Sequence, residues 1–217
     1  MGLFTVNGKM KKTGKKHGVK IVNFTIPAFL SSSGFKTCPN AGLCATGCYA
    51  RMGAYVFKGP RVKHEANLQA TFKPDFAMVA IAELTKLKPN LVRIHDAGDF
   101  YTKAYLEKWL TIAKSMPNVK FYAYTKMVQL VQGTVLPDNL MIIFSQGGKQ
   151  DLLINASADR HSRVFETVKE LKQAGYIDAS NDDMLALTSN KRVGLVYHGN
   201  KNFENTSWDK VKNDKAS

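Results

Sequence analysis

The order of hydrophobic segments predicts an α/β fold: a half barrel or an open, mostly parallel sheet with helices outside. Three observations predict it. Short apolar runs at residues 91–95, 119–124 and 140–145 have the length of strands and the continuous hydrophobicity of strands buried on both faces. They alternate with amphipathic stretches, clearest at 102–116, where Tyr105, Leu106, Trp109, Leu110, Ile112, Ala113 and Met116 form one apolar face. The overall order is strand, helix, strand, helix, strand, strand, helix, strand. In sheets of that kind a ligand sits at the carboxyl ends of the strands.

Taken in order, residues 1–20 are rich in Gly and Lys and carry no acid. Residues 1–18 read either as a basic arm or as a hairpin, with Phe4, Thr5 and Val6 turning at Asn7-Gly8. The remainder, 19–217, reads as a single α/β domain. Residues 19–26 favour a strand that Pro27 ends, and Ser31 to Gly34 signal a loop. Residues 62–72 and 75–87 read as helices separated at Pro74, with Asp75 as the N-cap of the second. Pro117-Asn118 stops the 102–116 helix. Residues 163–174 read as a helix closed by Gly175, and 193–198 as a last strand.

Of the 217 residues, 44% are hydrophobic and 22% charged, the composition of a globular protein with a proper core. No apolar run reaches membrane-spanning length and no secretory signal is visible, so the expected setting is the reduced cytoplasm, without a membrane partner. Lys and Arg total 31 against 17 Asp and Glu, a net charge of +14. That excess favours an anionic partner, DNA or RNA first, although a solvated basic face is the plain alternative.

The three cysteines, Cys38, Cys44 and Cys48, form a C-x5-C-x3-C loop after the first strand. An odd, clustered set argues against a disulfide framework and for metal or redox chemistry. Thiolates suit an iron–sulfur cluster, zinc or copper(I), with plain thiols as the remaining alternative. Gly42 and Gly47 let the loop wrap tightly. Zinc would need a fourth ligand from His17, His64, His95, His161 or His198, none at a familiar spacing.

The stretch from Cys38 to Ala50, with residues 92–101, 105–109 and 121–126, resembles the phage gene product 88 family. That resemblance spans roughly residues 20–150 and implies a bacteriophage or prophage origin, hence the host cytoplasm. The layout is also similar to radical S-adenosylmethionine half barrels, whose three-cysteine loop holds a [4Fe-4S] cluster with one iron open. Their usual spacing, C-x3-C-x2-C, differs from the one here. The resemblance implies a cluster on Cys38, Cys44 and Cys48. It also implies that Ala97, Gly98 and Asp99 stand where those enzymes contact the methionine ammonium of S-adenosylmethionine. Asp99 reads equally as a helix cap.

Four further features follow strands or the cysteines. His95 reads as a ligand or acid–base group, or as a core histidine. Ser145 and Gln146, with Gly147 and Gly148, read as an anion or adenosyl site built on backbone amides, or as a turn. Lys126 reads as an anion contact or a surface residue. Tyr49, Tyr55 and Phe57, interleaved with basic residues, read as a stacking surface or as helix packing. The expectation is a phage iron–sulfur protein with an open fourth iron and a place for S-adenosylmethionine beside it; radical chemistry is what the resemblance implies, and a cluster without radical generation stays open. The alternative is a non-enzymatic nucleic-acid-binding protein stapled by a cluster or zinc.

Overall fold

In the computed structural model, which describes residues 2–188 and 190–197, seven parallel strands form a curled, open sheet, a half barrel with helices around it. The strands are β1 (Ile21–Phe24), β2 (Leu91–Ile94), β3 (Lys120–Thr125), β4 (Leu140–Ser145), β5 (His161–Phe165), β6 (Ile177–Asp178) and β7 (Arg192–Val196). Their spatial order is β1-β2-β3-β4-β5-β7-β6. The helices are α1 (Gly8–His17), α2 (Lys58–Phe72), α3 (Phe76–Leu87), α4 (Lys103–Ser115), α5 (Val128–Gln132) and α6 (Val168–Gln173).

Strand alternation divides the core into two layers. Val22, Phe24, Val92, Ile94, Phe121 and Ala123 face outward under the helices. The fully buried Trp109 of α4 is the centre of that layer, with ring centroids 5.1 Å from Phe24 and 5.7 Å from Phe76. Ile21, Leu91, Tyr122, Ile143 and Val193 face the concave side, where Met10 of α1 and Ala186 close over them. The concave face is thus filled near the strand starts. In the parallel register Asn23 pairs with Arg93 and Arg93 with Tyr122, which puts a charged side chain on the same inner face.

Four expectations are corrected. Residues 8–17 are a helix rather than an arm or hairpin, because Asn7 accepts from Met10 N–H at 2.9 Å and so caps it. Residues 163–174 are not one helix: Arg163, Val164 and Phe165 belong to β5, paired in parallel with β7, and helix resumes only at Val168. Asp75 makes no side-chain cap bond to α3. The last strand is Arg192–Val196, and His198 lies outside the described residues.

Candidate metal and ligand site

At the carboxyl ends of the strands the concave face opens into a cavity of about 510 Å³. Cys38, Cys44 and Cys48 line it, and so do His95, Ala97, Gly98, Asp99, Ser145 and Gln146. The three segments that follow β1, β2 and β4 therefore meet around one space, as parallel-sheet topology dictates.

The cysteine loop is stitched to the loop after β4. Cys44 N–H donates to Gly147 O at 3.2 Å, Lys149 N–H donates to Asn40 O at 2.9 Å, and Ala41 bridges Gly148. A Cβ on Gly42 would lie 3.1 Å from Gly147 O, a close approach that favours glycine. The thiols are free and half-buried. Burial pushes the Cys38 thiol up to about 12, helped by Asp99 and Cys44. Burial also raises Cys48, with Cys44 adding to it. A thiolate at Cys44 thus disfavours thiolates at Cys38 and Cys48, and a bound cationic centre of soft metal ions would relieve that repulsion. Among the described residues no three His, Cys, Asp or Glu side chains converge on a single ion. A cubane cluster makes a different demand, one thiolate for each of three irons.

Asp99 ties two strand ends together. Its Oδ1 accepts from Thr125 Oγ1 at 2.5 Å and Phe100 N–H at 2.7 Å, and its Oδ2 accepts from Lys126 N–H at 2.9 Å. Burial outweighs these donors and raises its pKa. These three donors fill three of roughly four carboxylate lone-pair sites. The capping role belongs to Thr102, whose Oγ1 accepts from Tyr105 N–H at 3.2 Å. Gly98 has φ 88°, and its backbone packs on Ile26.

His95 is 3% exposed, and its Nε2 lies 2.8 Å from the Tyr105 hydroxyl. Burial lowers its pKa to about 3, so the ring is neutral at physiological pH. Its Nδ1 is buried without a hydrogen-bond partner. Among the described histidines it is the one that borders the cavity.

Two readings of the β4 loop and Lys126 change. The Gly147 and Gly148 amides are taken by Asp151, at 2.7 and 2.9 Å, and the Gln146 amide by Ser162 O at 2.9 Å. These amides are therefore not an open anion nest. Lys126 is 9% exposed rather than a surface residue. Its Nζ donates to Ser145 Oγ at 2.7 Å and to the Ser145 and Gln146 carbonyls at 3.1 Å. Tyr49 and Tyr55 also have defined partners. Tyr49 donates its hydroxyl to the Asp96 carbonyl, and Tyr55 donates to Asp96 Oδ2 at 2.7 Å.

Sequence reading missed the polar floor of the cavity. Arg93 Nη1 lies 3.3 Å from Asp96 Oδ1 and 3.5 Å from Asp183 Oδ1, with its guanidinium 5.2 Å from the Tyr124 ring centroid. Lys9 pairs with Asp183 at 2.7 Å, and Asn7 donates to Asp96 Oδ2 at 3.0 Å. The available signal was Arg93 itself, a cation inside an otherwise apolar run, which must find carboxylates when buried.

Among the described residues no helix is long and apolar enough to cross a membrane. No solved structure matches the chain. The Gene 88 protein of Mycobacterium phage L5 is 30% identical over 129 residues, covering 53% of this chain and 54% of that protein. The Gene 88 protein of Mycobacterium phage D29 is 30% identical over 109 residues, 45% of each. The chain thus spans about half the length of the curated relatives it matches. The family model for Gene product 88 matches residues 1–211, nearly the whole chain, and on that ground the protein, with bacteriophage proteins as its relatives, belongs to the Gene product 88 family.

Proposed function

We propose that the protein holds a [4Fe-4S] cluster on Cys38, Cys44 and Cys48, leaving one iron open, and binds S-adenosylmethionine beside it. The observation that supports this reading is the gathering of all three cysteines with the loops after β2 and β4 around one cavity. Its volume of about 510 Å³ falls within the range of small-molecule sites. The remaining acceptor capacity of Asp99 suits an ammonium group, and the backbone at Ala97 and Gly98 borders the same space. Lys126 and Asp99 orient the surrounding loops, and the half-buried position of the cysteines limits the entry of water. When bound and reduced, the cluster would supply the electron for cleaving the sulfonium C–S bond to a 5′-deoxyadenosyl radical.

The test is anaerobic purification followed by iron, sulfide and zinc analysis with a visible spectrum. About four irons and four sulfides per chain, lost in Cys44→Ala, are expected. A colourless protein with one zinc would overturn the reading. Formation of 5′-deoxyadenosine from S-adenosylmethionine by the reduced protein, absent in Cys44→Ala, then tests the radical step.

A further inference from the structure

We propose that the end of the sheet opposite the cavity is a docking face for duplex DNA, contacted through its phosphates without sequence preference. Because all seven strands are parallel, they begin at one end, and the helices that lead into them finish there. Exposed cations collect at that end from separate parts of the chain. Lys15, Lys86 and Lys114 lie in the last turns of α1, α3 and α4. Lys88 follows α3, and Lys120 and Arg192 are the first residues of β3 and β7, all exposed.

Acidic compensation there is thin. Asp138 is exposed before β4, Asp159 accepts from Asn155 N–H, and Asp182 pairs with Lys16 and His17. Helix dipoles account for part of the pattern, since cations favour helix C-termini. One such role is already filled, because Lys20 Nζ donates to the Leu87 carbonyl at the end of α3. Dipoles do not account for Lys120 and Arg192, because sheets have only small net dipoles.

The ligand is a duplex rather than a single strand because, among the described residues, the face lacks stacking platforms. Among the described residues the exposed aromatic side chains are Tyr49, Phe57 and Phe72. The first two belong to the segment after the cysteines. Phe72 packs against Tyr101, beyond the carboxyl end of β2, with ring centroids 5.9 Å apart. Single strands are held largely by base stacking, whereas duplex DNA presents a dense row of phosphates. This inference does not depend on the cluster.

The experiment measures anisotropy of a labelled mixed-sequence duplex with the full chain, between about 50 and 200 mM salt. The protein is expected to bind, with affinity falling steeply as salt rises. The triple variant Lys86→Gln, Lys88→Gln, Lys120→Gln should bind more weakly to every sequence, with a log–log salt slope shallower by about 3. A control triple, Lys103→Gln, Lys149→Gln, Lys169→Gln, removes the same charge at the carboxyl end and should change binding little. Circular dichroism checks that both variants keep the fold. No duplex binding, equal losses in the two triples, or tighter binding of a single strand would each overturn the proposal.

Discussion

The Tyr55 hydroxyl donates to Asp96 Oδ2 at 2.7 Å and so fastens the segment after the cysteines to the loop after β2. Asp96 at the same time faces Arg93, 3.3 Å away, and Asn7 of the α1 cap, 3.0 Å away. One carboxylate therefore joins three chain segments that border the cavity. Tyr55→Phe removes a hydrogen bond to a charged acceptor and should cost about 2 kcal/mol. Asp96→Ala also takes a partner from the buried Arg93 and should cost about 3–5 kcal/mol. Urea unfolding of both variants checks the order. Equal costs would mean that Asp96 acts through Tyr55 alone.

Asp183 gives the polar floor its pH dependence. Burial pushes its pKa up, but Arg93 and Lys9 outweigh burial and leave it below the usual carboxylate range. A carboxyl with a depressed folded-state pKa stabilises the fold above its unfolded pKa, and that stability is lost as pH falls through the folded value. The wild type should lose stability progressively below about pH 5, where free Asp side chains begin to protonate. Asp183→Asn should be less stable at neutral pH and have a flatter acid limb. Unfolding midpoints measured across the acid range would show an unchanged limb if the pair were unimportant.

The outer layer of the fold was legible because its signals are local. The β4 limits and the apolar face of α4 follow from five- to fifteen-residue patterns of side-chain type. The helix α1 was not legible, because Gly8 and Gly14 weaken its helical preference, its lysines leave almost no apolar face, and its position rests on distant partners such as Asp183. The cysteines and residues 95–99 stood out as candidates because they follow strands, and these segments meet around one cavity. The floor was hidden because Arg93 meets Asp183 across ninety positions of chain. The choice between an anion site and a turn at the β4 loop stayed open because the acceptor for its amides, Asp151, looks in sequence like any solvent-facing acid.

Gly98 tests how tightly the β2 loop packs on the end of β1. An added Cβ would lie 2.1 Å from Ile26 Cγ1, and φ is 88°. Gly98→Ala should cost about 2–4 kcal/mol from backbone strain and overpacking together. In the background of Ile26→Ala the same change should cost only the strain part, about 1–2 kcal/mol. A double-mutant cycle in urea measures the difference, and additivity would show that the Ile26 contact is unimportant.

The Cys38 thiol, raised to about 12, should resist alkylation when no metal is bound. Against an ordinary thiol it holds roughly a thousandfold less thiolate near pH 8, so iodoacetamide should modify it very slowly. Mass mapping of the metal-free protein after timed alkylation checks this. Rapid modification of Cys38 would show that the loop opens readily without metal.

Asp151 occupies the Gly147 and Gly148 amides as an internal anion. Asp151→Ala should cost about 2–3 kcal/mol, because it unpairs two amides bonded to a charged group. The vacated amides then form a small nest able to take an external anion. Sulfate should therefore restore more stability to the variant than it adds to the wild type, by mass action on the folded state. Salt of the same ionic strength but with a bulky, weakly accepting anion should not. Thermal melts in the two salts separate filling of the nest from general screening, and equal gains in both proteins would show that the amides find water instead.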